Sequence, residues 1–122
     1  VKHCLEETWG WQLIDEVDAT ITDEMWESDN PIYDKEVFGS YYMMQDLRET
    51  LLWYSDVKIN SITLVGLCTD ICVISNALLL KTALPEVSII VDASCCAGVT
   101  PESHKNALAA MKMCQIEIVN EE

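Results

Sequence analysis

The sequence predicts an α/β domain, a doubly wound and mostly parallel sheet with helices on both faces, and three observations predict it. Short runs rich in β-branched and other apolar residues, at 61–65, 87–91 and 115–119, alternate with stretches of helical length at 70–84 and 101–113. Strands of continuous apolar character separated by helices imply parallel neighbours buried on both sides. The 122 residues, half of them apolar, suit one domain with a real core.

Each element has its own signal. Residues 1–30 are acidic and irregular, with a short helix near Trp11 to Val17 and an extended piece from Ala19 to Met25, and Pro31 blocks continuation. Lys35 to Ser40 reads as a loop. Tyr42 to Tyr54 places apolar side chains at 44, 47, 51 and 54, the spacing of one helix face. The strand at 61–65 breaks at Gly66, and Thr69 or Asp70 caps the helix that follows. After the strand at 87–91 comes a loop holding Cys95, Cys96 and Gly98. Thr100 caps the next helix, Pro101 fits its first position and Glu102 complements its dipole. The run at 115–119 closes the sheet.

Charge and composition exclude several classes. Seven basic against 21 acidic residues give a formal charge of −14, which repels phosphate backbones and anionic lipid surfaces, so neither nucleic acid nor a membrane is an expected partner. No apolar run reaches the roughly 18 residues of a membrane span. The four glycines, at 10, 39, 66 and 98, are too far apart for a phosphate-cradling loop. The six cysteines fall in or beside strands and helices rather than in the loops of a stapled scaffold, which fits a reducing, cytoplasmic setting. A thiol-based metal or redox centre is a weaker alternative, since no Cys-x-x-Cys pair exists. Trp9, Trp11, Trp26, Trp53, Phe38, Tyr41 and Tyr42 read as core or subunit contact, and a homo-oligomer is expected.

Chemistry concentrates at Gly66-Leu67-Cys68-Thr69-Asp70-Ile71-Cys72-Val73, where a strand hands over to a helix. Within the first helical turn, unpaired N–H groups and the positive end of the helix dipole favour the thiolate of Cys72, and the same groups can hold an oxyanion. The plain alternative is a small buried cysteine at a junction. Active sites of such sheets lie beyond the carboxyl ends of the strands, where Cys72 falls. His104 shares a helix face with Ala107, Leu108 and Met111, so it reads as a hydrogen-bonded structural histidine rather than the base for Cys72.

The stretch Gly-x-x-Thr-Asp-x-Cys-Val at 66–73 resembles the nucleophile motif of the isochorismatase-like cysteine hydrolases, the superfamily of nicotinamidases and related amidohydrolases. His3-Cys4 with Thr8-Trp9-Gly10, Lys35 with Phe38, Ser40 and Tyr42, and Val91-Asp92-Ala93 resemble further family segments in the family's order. The resemblance implies a Cys-Lys-Asp triad with Cys72 as nucleophile and Lys35 beside it, although alone Lys35 reads as a solvated lysine on an acidic loop. It implies an oxyanion hole on the N–H groups of Cys68 and Cys72, a cis peptide between Leu67 and Cys68, and Phe38 or Tyr42 as walls of a substrate pocket. His3 resembles a ligand of the divalent metal, zinc or iron or manganese, used by the nicotinamidase branch; one histidine cannot make a site that takes about four ligands. Family members begin with a strand ending in an Asp-x-x-x-Asp-Phe motif that carries the triad's aspartate. Residues 1–122 are therefore expected to be the C-terminal portion of one such domain, with that strand and most metal ligands outside it.

The functional expectation is a nicotinamidase-like amidohydrolase acting on a small-molecule amide: Cys72 attacks the amide carbon, ammonia leaves, and water hydrolyses the thioester. Nicotinamide is the favoured substrate, with ureido or carbamoyl amides open. The alternative is a non-catalytic fragment or assembly domain of the same fold, and the isolated residues are expected to be inactive.

Overall fold

Acidic side chains open two short helices near the N-terminus, α1 (Asp15–Asp18) and α2 (Asp23–Ser28), where they complement the helix dipoles. The computed structural model describes residues 2–28 and 31–121, which form one compact unit up to Tyr33 and another from Asp34 onward. In the first unit the helix expected from Trp11 to Val17 is confined to α1, with turns before it. The extended piece expected from Ala19 to Met25 is instead a turn leading into α2. Thr22 decides this locally, because its hydroxyl accepts from the Met25 N–H at 3.4 Å and its carbonyl from the same N–H at 3.0 Å.

The second unit begins with the loop 34–40 and α3 (Tyr41–Trp53). Ser40 caps α3, accepting from the Met43 N–H at 3.3 Å. Met43, Met44, Leu47 and Leu51 turn one face of α3 to the core, while Tyr54, at the C-cap, is exposed. Then follow β1 (Ser61–Leu67), a π-helical turn (Thr69–Val73), α4 (Ile74–Ala83), β2 (Ser88–Ala97), α5 (Pro101–Met113) and β3 (Glu117–Val119). Thr100 and Ser103 cap α5 reciprocally through side chain and backbone, with Pro101 at its start.

The strands pair in parallel in the order β1-β2-β3. Register sets the core, because Ile62 faces Ile89 and Leu64 faces Val91, which in turn faces Ile118. These side chains pack with Ala77 and Leu80 of α4 and Leu108 and Met111 of α5 in one cluster. On the other face Thr63 and Val65 are exposed, so the second covered face that continuous apolar strands predict is not closed within the described residues.

Two sequence expectations fail at strand ends. β1 runs through Gly66 to Leu67, and β2 runs past Val91 to Ala97, taking Cys95 and Cys96 out of the expected loop and into a strand. An irregularity between Leu64 and Gly66 makes this possible: beyond it Gly66 pairs with Cys96 and Leu67 with Ala97. Gly66 has φ +126°, which glycine alone adopts freely. The tryptophans Trp9, Trp26 and Trp53 are exposed, so of the two uses read for them, core or subunit contact, they do not serve the first among the described residues.

Candidate active site

The site is built where β1 ends. The Leu67–Cys68 peptide bond is cis, and Cys68 occupies the N-cap position of the π-helical turn in extended conformation. Its carbonyl accepts from the N–H groups of Ile71 and Val73, both at 3.1 Å. Neither Thr69 nor Asp70 caps the turn, because each side chain is engaged elsewhere. The fully buried Thr69 places its hydroxyl 2.7 Å from His104 Nδ1. Asp70 accepts from the Val99 N–H at 3.1 Å. A hydrogen bond from Ser103 holds the Asp70 carboxyl below the usual 3.8, with desolvation opposing and the Val99 N–H assisting. His104 is therefore the hydrogen-bonded histidine read from its helix face, tying α5 to the turn that carries Cys72.

Cys72 is half-buried on that turn. The exposed loop before α3 brings Lys35 to it: Lys35 Nζ lies 3.6 Å from Cys72 Sγ and donates to the Val37 carbonyl at 3.2 Å. The two residues are 37 positions apart in sequence. Cys68, the other cysteine of the proposed oxyanion hole, is half-buried at the start of the same turn. Phe38 in the loop and Tyr42 in the first turn of α3 stand 59% and 71% exposed, and Tyr42 meets Tyr41 edge-on with ring centroids 6.0 Å apart. A cavity of about 310 Å³ lies elsewhere in this unit, between Arg48, Leu51 and Leu52 of α3 and the segment 83–87.

Asn76 is the residue that sequence reasoning missed. Its Oδ1 accepts from the Ser40 N–H at 2.8 Å, and its Nδ2 donates to the carbonyls of Phe38 at 3.2 Å and Cys72 at 2.9 Å. The available signal was an amide side chain one turn after Cys72 and so on the same helix face.

The other thiols differ. All six cysteines are free, and burial pushes the Cys96 thiol above the usual 9.0. Exposed Cys95 has the Ser94 hydroxyl 3.7 Å from its sulfur.

The Isochorismatase domain family matches residues 1–122. The chain belongs to the isochorismatase family. Its fold is that of solved nicotinamidases and pyrazinamidases. A nicotinamidase/pyrazinamidase from Bacillus subtilis superposes with a TM-score of 0.73 at 22% identity, over 97% of this chain and 62% of that one. A nicotinamidase from Staphylococcus aureus gives 0.72 at 26% identity, over 97% and 70%. A pyrazinamidase of Pyrococcus horikoshii in complex with zinc gives 0.70 at 21% identity, over 98% and 62%. No curated protein sequence matches the chain. The chain thus spans about 62% of the length of the first of these structures.

The zinc-bound relative raises the question of whether these residues fit a metal. Among the described residues no three His, Cys, Asp or Glu side chains converge to hold one, and His3 lies exposed in the N-terminal unit. The residues present do not fit the group, and no step below runs through it. No helix among the described residues is long and apolar enough to cross a membrane.

Proposed function

We propose that this isochorismatase-family chain carries the cysteine and lysine of a nicotinamidase-like amidohydrolase. The observation that carries the reading is the Lys35 ammonium 3.6 Å from the Cys72 sulfur at the carboxyl end of a parallel strand. The Cys72 sulfur attacks the carbonyl carbon of a small primary amide, and the oxygen takes up negative charge. The N–H groups of Cys68 and Cys72 and the Lys35 ammonium face that charge. The C–N bond then breaks, ammonia leaves with one proton from the thiol, and water cleaves the thioester to carboxylate and free thiol. The aspartate that moves those protons is, in this reading, the one the family resemblance places upstream of Val1. Phe38 and Tyr42 supply one side of an aromatic substrate's pocket, the rest coming from outside their exposed faces. Nicotinamide is the substrate this proposal favours, over ureido or carbamoyl amides, because the superposed structures are nicotinamidases and pyrazinamidases.

A second reading, a fold-retaining domain without chemistry, draws on the exposure of Phe38 and Tyr42. Ammonia release from nicotinamide separates the two. The full-length protein is expected to turn over, its Cys72→Ala variant to lose all detectable activity, and residues 1–122 alone to be weak or inactive, since a general base contributes about 10²–10⁴-fold. Activity surviving Cys72→Ala rejects the cysteine-hydrolase reading, and full-length protein inert toward nicotinamide, ureido and carbamoyl amides favours the second. Six free thiols further support a reducing, cytoplasmic setting for a homo-oligomeric enzyme, tested by thiol titration and by sedimentation of freshly isolated protein.

A further inference from the structure

We infer that Asn76 is a positioning residue that fixes the Lys35 ammonium at the Cys72 sulfur. The inference rests on the reading of Lys35 and Cys72 as a working pair, and goes beyond it by naming what holds the pair together.

Lys35 has no fixed place of its own. It is an exposed side chain on a loop without regular structure, with one hydrogen bond inside that loop, to Val37, and one to Cys72, and a long flexible lysine on an unanchored loop loses about as much rotamer entropy as such exposed contacts return. The loop, however, is anchored. Asn76 pairs with its backbone on both sides of Gly39, accepting from the Ser40 N–H and donating to the Phe38 carbonyl, as a strand neighbour would. The remaining Nδ2 hydrogen goes to the Cys72 carbonyl one turn back. One amide therefore ties the lysine loop to the turn that presents the sulfur. Lys35 closes the ring, donating both to Cys72 Sγ and to the carbonyl of Val37, the neighbour of Phe38.

The chemistry selects asparagine. The position needs one acceptor and two donors in a plane, and the three partners fix the amide's orientation, since the flipped group would oppose N–H to N–H and oxygen to two carbonyls. Aspartate lacks the donors. Alanine lacks everything. The loop also lies close to α4 here: a Cβ on Gly39 would stand 3.6 Å from Leu79 Cδ2 and 3.7 Å from the Ser75 carbonyl oxygen, an ordinary contact. Sterics therefore allow this approach and the hydrogen bonds specify it.

The test reads the charge beside the sulfur rather than turnover. Iodoacetate and iodoacetamide alkylate the same thiolate but differ in charge, so the ratio of their rates at Cys72, divided by the same ratio at exposed Cys114, reports the local field. An ammonium about 4 Å away in a water-like dielectric favours the anionic reagent about fivefold at low ionic strength. In the full chain, Lys35→Met is expected to remove that preference, Asn76→Ala to reduce it to the Lys35→Met level, and the double variant to go no lower. Asn76→Thr covers the case in which alanine unfolds the protein: its hydroxyl back-bonds to the Cys72 carbonyl, as helical threonines do, and leaves the loop unheld, so the same loss is expected. A purely structural Asn76 would lower the melting temperature and leave the ratio at the wild-type value. That result, or a ratio untouched by Lys35→Met, overturns the inference. Because ammonia release is not read, failure of the hydrolase reading leaves this outcome unchanged, and failure here leaves the dependence of turnover on Cys72 intact.

Discussion

Two neighbouring strand ends of one sheet carry cysteines, and they hold them in opposite ways. β1 hands its chain over, through Cys68, to a short π-helical turn that lifts Cys72 out of the sheet to the Lys35 ammonium. β2 keeps Cys95 and Cys96 within the strand, where Cys96 pairs with Gly66 and burial pushes its thiol up. Beside them stands Asp92, whose carboxyl the Ser94 hydroxyl, and after it Asn120, hold below the usual range against desolvation. A cation faces the first sulfur and an anion lies near the second pair. The difference teaches that thiol chemistry here follows from what the backbone does after the strand, since all six cysteines are equally free of disulfides. His104 joins the two ends, touching Thr69 after β1 and lying against Gly98 after β2.

The largest expected effect comes from driving the two ends apart. A Cβ on Gly98 would stand 2.8 Å from His104 Cβ and 2.9 Å from its backbone nitrogen and Cα, so Gly98→Ala is expected to cost about 3 kcal/mol in urea unfolding, the upper part of the overpacking range. Gly10, whose Cβ would meet nothing within 4 Å, serves as the control, and Gly10→Ala is expected to change little. An equal loss at both positions would show that the close approach of Gly98 to His104 does not set the cost.

Cutting the tie itself is the next step down. His104→Ala leaves the fully buried Thr69 hydroxyl without its partner and is expected to cost about 2 kcal/mol. Thr69→Val, which leaves a half-buried imidazole that water can reach, is expected to cost about 1 kcal/mol. The reverse order in thermal unfolding would put the weight of the pair on the histidine.

Reactivity sharpens the comparison directly. Cys72 is expected to be alkylated by iodoacetamide about tenfold faster than Cys96 at pH 7, a difference of about 1.4 kcal/mol in barrier, as read by mass mapping of the adducts. Faster reaction at Cys95, Cys96 or Cys114 would remove Cys72 from the role of nucleophile.

The smallest effect is electrostatic. The Asp70 carboxyl titrates below 3.8 in the folded chain, so its contribution is present above its unfolded value and is lost as pH falls through the folded one. The stability lead of the wild-type chain over Asp70→Asn should therefore hold at pH 6 and shrink below about pH 4, followed by unfolding midpoints across that range. A lead independent of pH would assign the whole effect to hydrogen bonding with Ser103 and Val99.

Much of the fold was legible because it rests on short-range rules. The apolar period of 101–113, with Thr100 as cap and Pro101 at the first position, gave α5 as it stands, and the runs at 61–65, 87–91 and 115–119 located the three strands of the described residues, the last beginning two positions later than read. What those rules misplaced were side chains with two competing local uses. Thr69 and Asp70 both suit an N-cap, yet each found a better-defined partner in His104 and Val99, residues remote in sequence. Cys95 and Cys96 looked like loop because nothing local shows that a second strand, irregular before Gly66, will pair with Cys96 and carry β2 on to Ala97.

By itself, then, the sequence determined the alternation of strands and helices and the placement of Cys72 at a strand-to-helix junction, since composition and period are properties of contiguous residues, while the segment carrying Lys35 stood out only through its resemblance to a family motif. Only the tertiary structure decided that Lys35 and Cys72 lie 3.6 Å apart and that Asn76 holds their segments together. The physical reason is that a hydrogen bond between residues 35 to 40 and 72 to 76 depends on how α4 packs beside the loop, and no local preference of either segment encodes that distance.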